Sequence, residues 1–126
     1  PLGPVLVLGL TSRGGRRRAA LEKAGAETGA VKSGPGGLSL PAVLKSLAER
    51  GACSVLVEGG GRLATAFLEG RLADRGVFIM APRLIGGRAA VSIYGGRGPA
   101  RLADSLRLSH VRSFRLGDDL VVEGGF

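Results

Sequence analysis

The stretch Cys53-Ser54-Val55-Leu56-Val57-Glu58-Gly59-Gly60-Gly61-Arg62-Leu63-Ala64-Thr65-Ala66-Phe67-Leu68-Glu69-Gly70 decides the fold. Its first five residues are apolar or small with no alternation, the pattern of a strand covered on both faces. Glu58 is the first charge, so the chain is expected to meet solvent there. Three contiguous glycines follow, where the backbone can turn sharply and approach a ligand with no Cβ in the way. Over residues 62–69 the spacing predicts a helix with Leu63, Ala66 and Phe67 on one face. The first N–H groups of such a helix have no partner inside it and attract an anion. A phosphate-bearing ligand is the natural occupant; an ordinary tight connection is the other reading of the same glycines. The pattern is not the dinucleotide fingerprint, because no glycine follows at 63 to 65. It is not a P-loop, because no Gly-Lys-Ser/Thr follows.

Outward from this stretch, composition narrows the classes. A chain of 126 residues is read as a single domain, 1–126. Its apolar fraction of 44% suffices for a core, but aromatics are only 4%, so Ala, Leu, Val and Ile must fill the interior. One cysteine excludes an internal disulfide, and with one histidine it leaves no structural zinc site. No apolar run reaches membrane-spanning length and no signal-peptide pattern opens the chain, so a cytoplasmic protein with no membrane partner is expected. The net charge of +8 raises nucleic acid as a partner, and Arg13-Gly14-Gly15-Arg16-Arg17-Arg18 is the candidate patch. The other arginines are scattered and aromatics for base stacking are few, so no nucleic-acid partner is expected. A basic surface also suits a small anionic ligand.

Upstream, residues 4–10 read as an apolar, central strand followed by a loop at 11–15. Residues 16–24 read as a helix stopped by Gly25, and 27–31 as a weak strand. Gly34-Pro35-Gly36-Gly37 is a loop. Pro41 opens a helix with Ser39 as its candidate cap and Val43, Leu44, Leu47 and Ala48 as its apolar stripe. Downstream, residues 76–80 read as another buried strand, and a Gly-rich irregular region runs to Pro99. Residues 106–116, a turn at Gly117-Asp118-Asp119, and 120–123 read as an antiparallel hairpin. The fold class is therefore α/β, with helices on the faces of a mixed sheet.

Three blocks carry a family resemblance. Val55-Leu56-Val57-Glu58-Gly59-Gly60-Gly61, then Phe67-Leu68-Glu69-Gly70-Arg71-Leu72-Ala73-Asp74, then Ala81-Pro82-Arg83-Leu84-Ile85-Gly86-Gly87 resemble the reductase domain of the bifunctional riboflavin-biosynthesis deaminase–reductase. The passage Arg16-Arg17-Arg18-Ala19-Ala20-Leu21-Glu22-Lys23-Ala24-Gly25-Ala26-Glu27 is similar to the strand–helix–strand passage of that domain. The resemblance implies a dihydrofolate-reductase-like fold: three-layer α/β/α with a mostly parallel mixed sheet and a C-terminal antiparallel hairpin. It implies an enzyme that uses NADPH to reduce the ribosyl group of 5-amino-6-(5-phosphoribosylamino)uracil to the ribityl product. Gly60, Gly61, Arg62, Leu63, Ala64, Thr65 and Ala66 would hold the cofactor phosphates, and Glu58 would contact the substrate. No catalytic residue is assigned and no metal is expected.

In the family, a strand bearing an Asp-Gly motif and most of the substrate contacts precede the part that begins at Pro1. The chain is accordingly expected to be the C-terminal portion of the reductase domain. The sheet edge left beside it is expected to pair with another chain, giving a homo-oligomer, a dimer. No His-x-Glu or Cys-x-x-Cys of a zinc deaminase is present. The competing reading is a catalytically silent nucleotide-binding or assembly module of the same fold.

Single residues keep their plainer alternatives. Glu58 is a ligand contact or merely the polar end of a strand. Thr65 meets a phosphate or packs in the helix. Arg62, mildly unfavourable against the helix dipole, is placed by a bound anion or by simple exposure. Thr11, Ser12 and Arg13 are in position to reach the adenosine end of a cofactor but are not assigned to the site. Cys53 is expected to pack as a small apolar residue and His110 to be structural or solvated.

Overall fold

The computed structural model describes residues 3–11, 15–96 and 98–126. The chain forms two compact units, Pro1–Val55 and Leu56–Phe126. The boundary falls between Val55 and Leu56, inside the apolar run 53–57.

The first unit is built on a strand–helix–strand passage. Strand β1 (Leu6–Leu10) and strand β2 (Glu27–Val31) pair in parallel, Leu6 opposite Glu27 and Leu10 opposite Val31. Parallel neighbours need a crossover, and helix α1 (Arg16–Lys23) supplies it. The helix stops where Gly25 takes φ +89°, a left-handed conformation open to glycine. Thr28 on β2 donates to the Glu22 carboxylate, and Arg18 one turn earlier donates to the same oxygen at 2.9 Å. Together they hold the Glu22 carboxyl below the usual carboxylate range, Thr28 contributing most.

A two-residue ladder of β3 (Ser33–Gly34) and β4 (Gly37–Leu38) closes the loop that Gly34-Pro35-Gly36-Gly37 announces. Helix α2 (Leu40–Ala48) follows with Pro41 in its first turn, where a missing N–H costs nothing. Ser39 occupies the N-cap position, but its side chain makes no capping hydrogen bond. The helix is tied back to β2 by Arg50, whose guanidinium reaches Glu27 at 3.0 Å. Strand β1 pairs only with β2 among the described residues and is half-buried, so the central, fully covered position expected for it is not what the ladder shows.

The second unit holds helix α3 (Gly61–Glu69) and a three-stranded antiparallel sheet. The strands are β5 (Arg75–Met80), β6 (Ser109–Leu116) and β7 (Asp119–Gly125), in the order β5-β7-β6. The expected C-terminal hairpin is β6 and β7, joined by Gly117 and Asp118 between the paired Leu116 and Asp119. Gly117 takes φ +61°, which a two-residue hairpin loop needs at its first position. A bulge between Ser109 and Arg112 contains His110 at φ +49°.

Val121 in the middle strand is 2% exposed, flanked by Ile79 and Phe114 in register on either side. Two places from Val121 on the same face, Glu123 pairs with Arg75 at 2.6 Å. The outer strands carry apolar side chains into solvent: Ile79 is 61% exposed, and Val77, Met80 and Phe114 are also exposed. The expectation of a buried strand at 76–80 is corrected accordingly.

The largest correction concerns residues 53–57. They are not part of any ladder among the described residues. Leu56 is 82% exposed, and Cys53, expected to be packed, is exposed as well. An apolar run specifies extended backbone and a demand for cover, but it does not supply a neighbour for the backbone N–H and C=O groups. The described residues thus form three separate sheets, only the β1–β2 pair being parallel.

Candidate functional site

The three glycines have three different surroundings. A Cβ on Gly59 would press into the Leu63 side chain, within 3.0 Å of its Cβ. A Cβ on Gly61 would collide with the Ser92 carbonyl oxygen and lie 3.3 Å from the Ile93 carbonyl carbon. Gly60 alone faces open space, with nothing within 4 Å of the added atom. Its φ of −62° and ψ of 172° are extended and open to any residue. The sequence reads all three glycines as one ligand-facing bend; the structure leaves one of them on an open face.

Gly60 is the N-cap of α3 and offers no side chain, and no side-chain hydrogen bond caps the first turn. Leu63 and Ala64 donate to the Gly60 carbonyl at 2.9 and 3.2 Å. No acidic residue lies in the first turn. The positive end of the helix dipole therefore stands uncompensated by this turn's own side chains, as an anion-binding helix start requires.

The other predicted residues follow along the helix. Arg62 and Leu63 are exposed, while Ala64 and Ala66 are half-buried. Thr65 is different: it is 5% exposed and its hydroxyl is fully engaged. It donates to the Gly61 carbonyl at 2.6 Å and accepts from the Gly95 N–H at 2.6 Å. Glu58, two residues before the helix cap, is exposed and makes no ion pair among the described residues.

In the first unit, the Thr11 hydroxyl donates to the Val31 carbonyl at 3.1 Å. Ser12, Arg13 and Gly14, which carry the start of the basic run, lie outside the described residues. No group of three or more His, Cys, Asp or Glu able to hold a metal is found among the described residues.

Sequence reasoning missed the segment 92–96, read there only as irregular. It straps one face of α3. Ser92 meets Gly61, Gly95 meets Thr65, and a Cβ on Gly96 would lie 2.5 Å from Glu69 Oε1. Gly61, Thr65 and Glu69 stand four residues apart, on one line of the helix. Within the strap, the Ser92 hydroxyl donates to the Tyr94 carbonyl at 2.6 Å and accepts from the Tyr94 N–H at 3.2 Å. The available signal was the small-residue spacing of Gly61 and Thr65, which permits close backbone approach.

Residues 4–122 match the sequence profile of the RibD C-terminal domain. The chain belongs to this family. Among its relatives, the 2,5-diamino-6-ribosylamino-4(3H)-pyrimidinone 5′-phosphate reductase of Methanothermobacter thermautotrophicus is 37% identical over 93 residues, 74% of this chain and 43% of that protein. The riboflavin biosynthesis protein RibD of Bacillus amyloliquefaciens is 36% identical over 83 residues, 66% of this chain and 22% of that one. The solved structure of Acinetobacter baumannii RibD superimposes with a TM-score of 0.76 at 23% identity, over 97% of this chain and 31% of that one. The RibD C-terminal fold is thus shared, and the chain spans less than half the length of these relatives.

Proposed function

We propose that this RibD C-terminal chain is part of an NADPH-dependent reductase of riboflavin biosynthesis, acting on 5-amino-6-(5-phosphoribosylamino)uracil. The observation that carries the reading is the uncapped start of α3 behind a glycine whose outer face is open, in a chain of this family. The turn fits a diphosphate: N–H groups of the first helical turn can donate to its oxygens, and Gly60 leaves room for them. Gly60, Gly61, Arg62, Leu63, Ala64, Thr65 and Ala66 form the proposed cofactor segment, with Thr65 serving through the backbone it holds. When bound, NADPH supplies a hydride to the ribosyl group. Glu58, exposed beside the turn, accepts hydrogen bonds from substrate hydroxyl or ring N–H donors. A cytoplasmic setting belongs to the same reading, as does a partner that is a small anion rather than a nucleic acid. No helix among the described residues is long and apolar enough to cross a membrane.

The finer architecture is also proposed: one domain over 1–126, the C-terminal portion of a reductase domain, three-layered on a mostly parallel mixed sheet. A family match that runs through both units supports it, with the β1–β2 ladder as the parallel part among the described residues. A homodimer is proposed because the outer strands β5 and β6 have no further strand partner among the described residues and carry exposed apolar side chains. Sedimentation that stays strictly monomeric at high concentration argues against it.

The M. thermautotrophicus relative's name favours a second substrate, the 2,5-diamino pyrimidinone, which carries an amino group where the uracil has an oxo group. Following NADPH absorbance with each compound separates the two. Consumption with neither, by a folded sample that binds NADPH, leaves a silent nucleotide-binding module as the correct description.

A further inference from the structure

The Thr65 hydroxyl links two pieces of backbone that are 30 residues apart in sequence. A threonine inside a helix commonly returns its proton to the carbonyl four residues back, and Thr65 does so to Gly61. That bond leaves the oxygen free to accept, and the Gly95 N–H fills the place at 2.6 Å. The hydroxyl is therefore satisfied as donor and as acceptor, in a residue that is 5% exposed.

The strap it anchors touches the first turn of α3 directly. The Ser92 carbonyl occupies the side of Gly61 where a Cβ would otherwise project. The first turn of α3 thus meets the strap at Gly61 and is open at Gly60. The Ser92–Tyr94 hydrogen bonds close that segment into a short turn one residue from Gly95, which links the Thr65 anchor to Ser92.

We propose that Thr65 is a positioning residue for the cofactor: its hydroxyl seats the 92–96 strap against Gly61 and so fixes the helix start that receives the diphosphate. The inference rests on the NADPH reading above. It differs from a direct Thr65–phosphate contact, since both hydrogen-bonding roles of the hydroxyl are taken within the chain.

The test compares Thr65→Val and Thr65→Ser in the whole chain, with NADPH affinity by calorimetry and Gly95 amide exchange by NMR. In Thr65→Val, Gly95 exchange accelerates and NADPH binds about tenfold more weakly, the scale of one or two lost hydrogen bonds. Thr65→Ser keeps both properties near those of the parent. Faster Gly95 exchange with affinity within twofold of the parent overturns the positioning role and leaves the cofactor reading intact. Failure of the folded parent chain to bind NADPH overturns both. Should Thr65→Val not fold, Gly96→Ala perturbs the strap from another point, where φ is +86° and Glu69 Oε1 is close. Weakened NADPH binding is again expected, and unchanged affinity refutes the proposal.

Discussion

Gly60→Ala isolates ligand binding from folding. The new methyl group meets nothing within 4 Å, and the backbone at φ −62°, ψ 172° accepts an alanine without strain. Loss of unfolded-chain freedom by itself stabilises a compatible Gly→Ala replacement by about 0.4–1 kcal/mol. The melting temperature should therefore stay level or rise slightly. The same methyl group stands on the open face of the turn, where a diphosphate would approach the first helical N–H groups. Hydrogen bonds to a charged group are worth about 1.5–3 kcal/mol each. Losing one weakens NADPH by roughly 10- to 150-fold, since about 1.4 kcal/mol is a factor of ten.

Gly61→Ala is the contrasting variant. Its methyl group strikes the Ser92 carbonyl, so it should cost stability, about 1–3 kcal/mol as in other overpacked sites. The assay is thermal unfolding alongside NADPH calorimetry for both variants. A Gly60→Ala chain that is stable and binds NADPH within twofold of the parent refutes the reasoning, because the open face would then not be the phosphate face.

Further outcomes follow from single residues. Glu58→Gln should raise KM for the pyrimidine substrate while leaving NADPH affinity within twofold; a selective loss of NADPH binding would assign Glu58 to the cofactor instead. Val121→Ala should lower stability by about 1–3 kcal/mol in denaturant unfolding, since it empties the middle of the β5-β7-β6 sheet; a change under 0.5 kcal/mol means the sheet has no packed centre. The Glu22 carboxyl, depressed by Thr28 and Arg18, stabilises the folded chain above its unfolded carboxylate value, and that contribution disappears as pH falls through the folded one. Carbon-detected titration should show Glu22 below the usual carboxylate range and returning toward it in Thr28→Val; an unchanged midpoint in that variant removes Thr28 as the main cause.

Local order was the legible part of this chain. Gly25, Pro41 and Gly117 act within a few residues of where they stand, so α1, α2 and the β6–β7 turn lie close to where the sequence puts them. Helix α3 begins one residue earlier than expected, within ordinary fraying of helix bounds. Partnership was not legible. Residues 53–57 read as a strand because they are apolar, yet a ladder also needs a neighbour that no local pattern names. For Thr65 the sequence leaves a phosphate contact and packing in the helix both open; the structure engages its hydroxyl with Gly95, a residue whose distance in sequence hides it. The three glycines looked equivalent for a similar reason: only the packed neighbours, Leu63 on one side and Ser92 on the other, tell Gly60 apart.

The central claim is that the open start of α3 receives the diphosphate of NADPH. Titrating NADPH into the nitrogen-15-labelled chain and following backbone amide shifts tests it most directly. The account predicts that the amides of Gly60, Gly61, Arg62 and Leu63 move first and furthest. Saturable binding that leaves these four amides in place and shifts a different segment contradicts it.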